Sequence, residues 1–263
     1  MLFNPFKVIF QRKGLSGKLL RNIGGTALII YSAVILYVAI NNRQNAIETA
    51  KINLQLISES YSNYASRFLG DFTSQVSTTA KTFERIYKIP ARERRPFIGA
   101  MMDNQLRSNS HYLSFWTIWD PNKLDSLDKY MIDKPGSTRI GSFSLTLFRQ
   151  NDSIVIEKNN PNTILFQGDY YRLPKQNLRE TVLEPYSYSF TGKEGEEILQ
   201  TSLISPIIVG GKFKGVVGID LDLEELNAAF NKIKPYEDGY IYLLSADGTF
   251  VTYPEDSLIG KKM

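Results

Sequence analysis

The sequence predicts an α+β fold, in which an N-terminal transmembrane helix continues into a long helix that packs on an antiparallel sheet. Three observations support this prediction. Residues 22–42 carry no charge, apolar residues then recur at helical spacing as far as residue 88, and short apolar runs separated by turn residues follow. Helical periodicity therefore precedes strand periodicity along the chain, which is typical of the α+β class rather than of alternating βαβ units.

The uncharged stretch has the length of a membrane span. Residues 22–42 reach roughly 30 Å as a helix, the thickness of a bilayer hydrocarbon core. Six of the 31 Lys and Arg residues lie within positions 1–43, which contain no Asp or Glu, and five of them precede the span. The positive-inside bias predicts that residues 1–21 form a cytoplasmic basic segment and that the bulk of the chain is periplasmic or extracellular. A cleaved signal peptide is the alternative, but the basic region is long and the span lacks a small-residue cleavage pair.

Composition removes several function classes. The chain has no cysteine and one histidine, which excludes disulfides, thiolate nucleophiles, cysteine-based zinc sites and histidine-paired triads. All 27 acidic residues follow the basic N-terminal segment, so the remainder has no basic surface typical of nucleic-acid binding. We found no phosphate-binding loop and no metal-ligand spacing. The sequence therefore predicts a protein that is not an enzyme and needs no cofactor or metal, and His111 is interpreted as a loop residue.

Residues 43–90 form the predicted membrane-connected helix. Apolar or small residues recur there at steps of three or four. The stripe comprises Ile47, Ala50, Leu54, Ile57, Tyr61, Tyr64, Phe68, Phe72, Val76, Ala80, Phe83 and Tyr87. A helix of about 60 Å needs a lateral partner, which is either the rest of the domain or a second subunit. We therefore expect a homodimer through this helix, which Pro90 ends.

Residues 91–235 are expected to form the main sheet domain. A short helix is predicted at Arg94–Arg107, and Asp120-Pro121-Asn122 is a turn signal after the first strand. The predicted strands are Tyr112–Trp119, Ser142–Arg149, Ser153–Lys158, Glu184–Phe190, Leu199–Val209 and Lys212–Leu221. A helix at Glu224–Lys234 follows them. Residues 236–263 then begin a second module with strands at Gly239–Leu244 and Thr249–Tyr253, which this chain does not complete.

The most informative segment is the hairpin and helix from Pro206 to Leu226. Gly210-Gly211 supplies the positive φ angles of a tight turn between two apolar strands. Asp220 interrupts the second strand, and a carboxylate there needs a partner or a ligand because an unpaired buried charge is expensive. Asp220 either contacts a ligand or caps the following helix, although Asp222 is the better candidate for the cap.

These features resemble the double Cache extracytoplasmic sensor domain of methyl-accepting chemotaxis receptors and sensor kinases. Two segments carry the resemblance: Pro206 to Leu226, and Asp247 to Pro254 followed by Ile259-Gly260-Lys261. In the second segment, the family often has His-Pro where this chain has Tyr253-Pro254. The likeness covers about residues 24–263. It implies a PAS-like antiparallel-sheet module distal to the membrane that binds a small ligand, and a second, membrane-proximal module.

The resemblance also implies ligand-binding positions. Family members that bind amino acids use Arg-x-Trp-Tyr, Tyr-x-Asp and a final Asp, in which Arg holds the ligand carboxylate and the aspartates hold its ammonium. These segments match residues 168–171, residues 186–188 and Asp220. Here Gly168 replaces the arginine and Tyr188 replaces the first aspartate. Without the bidentate guanidinium a standard amino acid is disfavoured as the ligand, and Arg172 could substitute only if its loop is rearranged.

What remains is an aromatic set with one acid, which favours an organic amine or cation held by cation–π contact and an ion pair. The alternative is that the tryptophans belong to the sheet core. The candidate ligand-binding residues are Asp220, Tyr170, Tyr171, Tyr186, Tyr188, Trp116, Trp119 and Arg172. Phe115 belongs to the same aromatic set.

The predicted function is therefore the ligand-sensing, membrane-anchored portion of a chemoreceptor-like signal transducer, which transmits a helix displacement across the membrane. The first alternative is the ectodomain of a sensor histidine kinase or a nucleotide cyclase, which shares the sensor but not the output. A membrane-tethered enzyme and an adhesive domain are further alternatives. An enzyme would need a selected pair of acids, and an adhesive domain would need no concave aromatic site.

Overall fold

The structure is a computed structural model that describes residues 14–151, 153–157, 165–236 and 239–263. Lys7, Arg12 and Lys13 of the predicted basic segment, and the predicted strand end at Lys158, lie outside the described residues. The chain divides into two compact units, Met1–Ser62 and Asn63–Met263.

Helix α1 covers Leu15–Glu84 without interruption, and a single 3₁₀ turn follows at Ile86–Lys88. Within the described residues, one helix is long and apolar enough to cross a membrane by length and composition. Its most apolar 18-residue window has a mean hydropathy of 2.2 and no buried residue. The predicted transmembrane and long helices are thus parts of one continuous helix, as the absence of Pro between residues 14 and 84 allows.

The predicted apolar stripe of α1 behaves differently in the two units. In the second unit Phe72, Val76 and Phe83 are at most 5% exposed and belong to the main hydrophobic core. In the first unit Ile47 and Leu54 are 46% and 52% exposed. The domain itself therefore supplies the lateral partner for the C-terminal part of the stripe.

One antiparallel sheet of seven strands organises the second unit. The strands are β1 Ser114–Trp119, β2 Ser144–Gln150, β3 Ser153–Ile156, β4 Thr181–Val182, β5 Tyr186–Tyr188, β6 Ile198–Val209 and β7 Lys212–Asp222. Their spatial order is β3-β2-β1-β7-β6-β4, and β5 also pairs with β6. The β6–β7 hairpin turns at Gly210-Gly211, whose φ angles are +59° and +73°, as the Gly pair predicts.

The two faces of the sheet have different coverings. Helix α2, Ala91–Ser108, and the C-terminal part of α1 pack on one face. That core includes Phe115 and Trp119 of β1, and Val217, Ile219 and Leu221 of β7. The opposite face carries Trp116 and Ile118 of the same strand β1, packed with Leu165 and Tyr171. Alternation along β1 therefore separates a helix-covered core from a second, aromatic face.

Two shorter helices flank the sheet. Helix α3, Asp169–Asn177, has no counterpart among the predicted elements. Helix α4, Leu223–Phe230, is capped by Asp222, whose carboxylate accepts from the backbone N–H of Glu224 at 2.8 Å. The predicted capping role thus belongs to Asp222 and not to Asp220.

The second hairpin is shorter than predicted. Its strands β8 and β9 cover only Leu243–Leu244 and Phe250–Thr252. Asn227 of α4 ties it to the sheet domain, since its side chain donates to Asp256 and accepts from the backbone N–H of Tyr253, both at 2.8 Å.

A buried ion cluster fixes α2 on the loops before β2. Arg95 donates from Nε to Asp125 at 2.6 Å and from Nη2 to Asp128 at 2.8 Å, and its Nη1 donates to Ser137 at 2.7 Å. The side chains of Arg95, Asp125 and Asp128 are 10%, 1% and 5% exposed. Removing one partner of a buried ion pair is costly because the remaining charges stay desolvated.

We therefore predict that Arg95→Leu lowers the free energy of unfolding by about 3–5 kcal/mol. The matched control is Arg107→Leu on the same helix, where the Arg107–Asp103 pair is 59% and 40% exposed and is worth less than about 1 kcal/mol. Denaturant unfolding of both variants measures the difference, and equal losses would contradict the assignment of a structural role to the Arg95 cluster.

Candidate ligand-binding site

A cavity of about 80 Å³ lies on the aromatic face of the sheet. Strands β1, β2, β5, β6 and β7 and helix α3 contribute to its wall, together with the segments after β3, before α3 and after β5. The lining residues are Trp116, Ile118, Thr146, Glu157, Leu165, Tyr170, Tyr186, Tyr188, Phe190, Gln200 and Asp220. Two carboxylates and five aromatic rings thus share one small cavity.

Asp220 is 2% exposed and is held by three side-chain donors. The Trp116 indole N–H donates to Oδ1 at 3.0 Å, and the Ser202 hydroxyl donates to the same oxygen at 2.5 Å. The Ser114 hydroxyl donates to Oδ2. Burial raises the pKa of the Asp220 carboxyl above its ordinary value, and these three hydrogen bonds oppose that rise.

Strand register brings the three donors to Asp220. Ser114 on β1 and Ser202 on β6 are both the cross-strand partners of Asp220 on β7. Trp116 lies two residues further along β1, on the same face, opposite Gly218. A Cβ at Gly218 would lie 2.4 Å from Cζ2 of Trp116, so the glycine leaves the space that the indole ring occupies. The ring can therefore lie over the strand and reach Asp220.

Glu157 is the second carboxylate of the cavity. It directly follows β3, and its backbone N–H donates to the carbonyl of Thr146 at 3.0 Å, which fixes its place beside β2. Tyr188 donates its hydroxyl to Oε1 of Glu157 at 2.5 Å. Burial raises the pKa of Glu157, hydrogen bonds from Tyr188 and Thr146 oppose the rise, and the nearby charge of Asp220 adds to it.

Aromatic rings form most of the remaining wall. Trp116 and Tyr170 meet edge to face with ring centroids 5.9 Å apart, and Tyr188 packs against Phe190 at 5.0 Å. Burial raises the pKa of Tyr170 to about 12, and burial also raises the pKa values of Tyr186 and Tyr188. The three phenols are therefore neutral at physiological pH, and the remaining acids of the wall are the carboxyl groups of Asp220 and Glu157.

The structure gathers five of the eight sequence-predicted site residues at this cavity: Asp220, Trp116, Tyr170, Tyr186 and Tyr188. It places the other three elsewhere. Trp119 is fully buried on the opposite face, where its ring packs near Phe83 at 6.3 Å. Tyr171 turns to Asp120, to which its hydroxyl donates. Arg172 forms an exposed ion pair with Asp169 at 2.6 Å.

Sequence reasoning did not single out Glu157 and Gln200. Each had a signal of the kind that identified Asp220, namely a polar residue within or at the end of a predicted strand. Gln200 lies in the apolar strand β6, and Glu157 ends the run that begins at Ser153. Their relevance depends on which face of the sheet they occupy, and a single strand does not reveal this.

The charges of the cavity have one sign. None of the described lining residues is Lys or Arg, while Asp220 and Glu157 are acids. In the described ranges, no group of three or more His, Cys, Asp and Glu side chains is arranged to hold a metal ion. A wall of aromatic faces with two carboxylates is suited to a small organic cation, since ring quadrupoles and carboxylates both attract positive charge.

The comparisons with known proteins agree on the type of domain. No family model matches the chain. Methyl-accepting chemotaxis protein TlpQ of Pseudomonas aeruginosa is 29% identical over 176 residues, which are 60% of this chain and 24% of TlpQ. The chain thus spans about a quarter of the length of this curated relative.

Solved structures extend the comparison. The extracellular domain of mmHK1S-Z3, assigned as a histidine kinase, superposes with a TM-score of 0.68 at 28% identity and covers 81% of this chain and 74% of that domain. The ligand-binding domain of Mlp24, solved with asparagine, has a TM-score of 0.52 at 14% identity, with 82% and 77% coverage, which establishes a common fold alone. The chain therefore has the Cache-like fold of the extracellular sensor domains of chemoreceptors and histidine kinases, and its sequence relatives include a methyl-accepting chemotaxis protein.

Proposed function

We propose that this chain is the ligand-sensing portion of a membrane-anchored chemoreceptor and that its cavity binds a small organic amine or cation. The observation that carries the proposal is the charge of the cavity, where Asp220 and Glu157 face a wall of aromatic rings with no cationic side chain among the described residues. A cationic ligand would neutralise these two desolvated carboxylates, whereas an anionic ligand would add to their repulsion.

A standard amino acid fits this cavity poorly. Its α-carboxylate needs a cationic or multiple-donor seat, and Arg172, the one arginine near the predicted segment, is paired with Asp169 and does not line the cavity. Mlp24 is solved with asparagine, so a related fold accepts an amino acid. We infer that the change from Arg to Gly168 in the resembling segment is accompanied by a change of ligand class.

Helix α4 is the proposed connection between the cavity and α1. It begins three residues after Asp220, and Phe230 at its end lies 5.7 Å from the Tyr64 ring and 6.4 Å from the Phe68 ring. A ligand that prefers one position of β7 would bias α4 and, through these contacts, α1. The free energy available to move α1 is the difference between the binding free energies of the ligand for the two positions of β7.

We further propose the organisation expected from the sequence. Residues 1–21 are cytoplasmic, residues 22–42 cross the membrane, residues 43–90 connect it to the distal module at 91–235, and residues 236–263 begin the proximal module. The basic residues before the span support this orientation. The chemotaxis relative favours a chemoreceptor over the kinase or cyclase alternative. No observation selects an enzymatic or adhesive function.

The first prediction concerns Asp220. In Asp220→Asn, the new Oδ1 can still accept from Trp116 and Ser202 and the new amide can donate to Ser114, so the fold is retained while the charge is lost. We expect the affinity for n-butylammonium to fall at least 30-fold, because truncating one partner of a buried charge pair costs about 2–5 kcal/mol. Isothermal titration of the full chain in nanodiscs measures this.

The matched control for this prediction is Asp222→Asn. It removes a partly exposed carboxylate two positions along the same strand, and Asn remains a good N-cap for α4. Its affinity for n-butylammonium should stay within about twofold of the wild type. Equal losses in both variants would contradict a specific role for Asp220.

The second prediction concerns pH. Burial raises the pKa values of Asp220 and Glu157 above the ordinary carboxyl range near 4. An alkylammonium stays protonated below neutrality, so any change in affinity comes from the carboxyl groups. The affinity is full above their raised pKa values and is lost as the pH falls through them. Binding of the cation releases protons from these carboxyl groups. Titrations at decreasing pH, over the range in which the domain stays folded, test this, and Glu157→Gln should make the loss less steep. An affinity that does not fall anywhere in that range would contradict the proposed role of both acids.

The third prediction concerns the homodimer. Leu54 is 52% exposed on the apolar stripe of α1, and the chain has no native cysteine. Leu54→Cys in membranes should form intermolecular disulfides under mild oxidation, as should Tyr61→Cys. The control is Glu59→Cys on the opposite face of the helix, which should crosslink much less. Absence of crosslinks at both stripe positions would exclude dimerisation along this stripe.

A further inference from the structure

Gln200 carries a buried acceptor that no described donor reaches. The residue is 1% exposed and lines the cavity, and its Oε1 has no hydrogen-bond partner among the described residues. Buried polar atoms without a partner are rare, because the desolvated group loses its bonds to water. The other such side-chain atom in the described part of the chain, Nε1 of Trp119, belongs to a residue on the opposite face of the sheet.

The orientation of the Gln200 amide follows from the hydrogen bonds that lead away from Asp220. The Ser202 hydroxyl has one hydrogen and donates it to Oδ1 of Asp220, so it accepts from the Tyr186 hydroxyl at 2.6 Å. Tyr186 has then used its own hydrogen, and its oxygen accepts from Nε2 of Gln200 at 2.9 Å. Nε2 therefore faces Tyr186, and the atom left without a partner is the acceptor Oε1.

Protonation of Asp220 does not reverse this direction. The Trp116 indole is a donor only and points at Oδ1, so a proton on the carboxyl would reside on Oδ2, beside Ser114. Oδ1 remains an acceptor in both states, and Ser202 donates to it in both. The open acceptor of Gln200 is thus a fixed consequence of the Asp220 site.

We propose that Gln200 is a specificity-determining residue that selects ammonium groups with N–H donors over quaternary ammonium. This inference rests on the proposed amine-binding function. Aromatic faces and carboxylates alone attract both kinds of cation. Of the two kinds of cation, only one with an N–H group can itself donate to Oε1 of Gln200, and a site with a buried hydrogen-bonding group rejects analogues that leave this group unpaired.

Two isomeric probes separate the contributions of charge and of N–H donors. n-Butylammonium and tetramethylammonium have the same formula and charge. n-Butylammonium carries three N–H donors, whereas tetramethylammonium carries none. Both have five non-hydrogen atoms. A water-sized group needs about 10–15 Å³, so a cavity of about 80 Å³ has room for a ligand of this size. Butan-1-ol, of the same size but neutral, is the control for charge. Affinities are measured by isothermal titration of the full chain in nanodiscs.

The wild type should bind n-butylammonium at least tenfold more tightly than tetramethylammonium, the effect of leaving one buried acceptor unpaired. Gln200→Met is similar in size but lacks the acceptor, and it should reduce this affinity ratio to within about threefold of unity. The affinity for tetramethylammonium should be retained, and this retention shows that the site is folded. Thr201→Val, the neighbour on β6 whose hydroxyl donates to the Leu183 carbonyl at 2.7 Å, should leave the ratio unchanged.

Each other outcome contradicts a defined claim. Equal binding of the two cations to the wild type overturns the role of Gln200 but leaves the amine site intact. A preference that persists in Gln200→Met assigns the N–H requirement to another acceptor and likewise overturns that role. If neither cation binds, or if butan-1-ol binds as tightly as n-butylammonium, the proposed amine-binding function itself fails.

Discussion

The buried carboxylate of Asp220 is the constraint on which the site depends. A carboxyl group that is 2% exposed must have its oxygens satisfied inside the protein, and its three donors come from β1 and β6, the two neighbours of its own strand. Satisfying them requires Ser114 and Ser202 to lie opposite Asp220, and it requires a residue without a side chain at Gly218 to admit the Trp116 ring. The packing of the sheet and the polarity of the cavity therefore have a common origin.

The two faces of the sheet differ in chemistry. Its helix-covered face buries apolar side chains against α1 and α2, where the hydrophobic effect provides most of the stabilisation. Its other face concentrates polar groups whose hydrogen bonds run in one direction, from Gln200 through Tyr186 and Ser202 to Asp220. This direction leaves Oε1 of Gln200 as the open acceptor of the network, which in the proposed function receives an N–H group of the ligand. Helix α4 starts at the end of strand β7, and its Leu223, Leu226 and Phe230 pack with Ala65 of α1.

Local patterns account for the elements that sequence reasoning predicted well. The helical spacing of apolar residues predicted α1 and α2, and the Gly210-Gly211 turn predicted the β6–β7 hairpin. Sequence patterns are weaker where elements are short, so the nine-residue helix α3 was not predicted. Tyr171 and Arg172 belong to this helix, and their side chains contact Asp120 and Asp169 and not the cavity. Trp116 and Trp119 were grouped together although they are three positions apart on one strand, and strand alternation places such residues on opposite faces.

The sequence by itself determined the hairpin, its turn, and the anomaly of an acid within an apolar strand, because each depends on neighbouring residues. It did not determine the partners of that acid. A regular hairpin around Gly210-Gly211 would place Thr201 opposite Asp220, whereas the register shift between Ile207 and Ile208 places Ser202 there. A shift of one residue exchanges the two faces of a strand. The bulge thus decides whether Ser202 and Gln200 face the cavity, and the arrival of Glu157 depends on the pairing of β3 with β2, so neither follows from the pattern of a single strand.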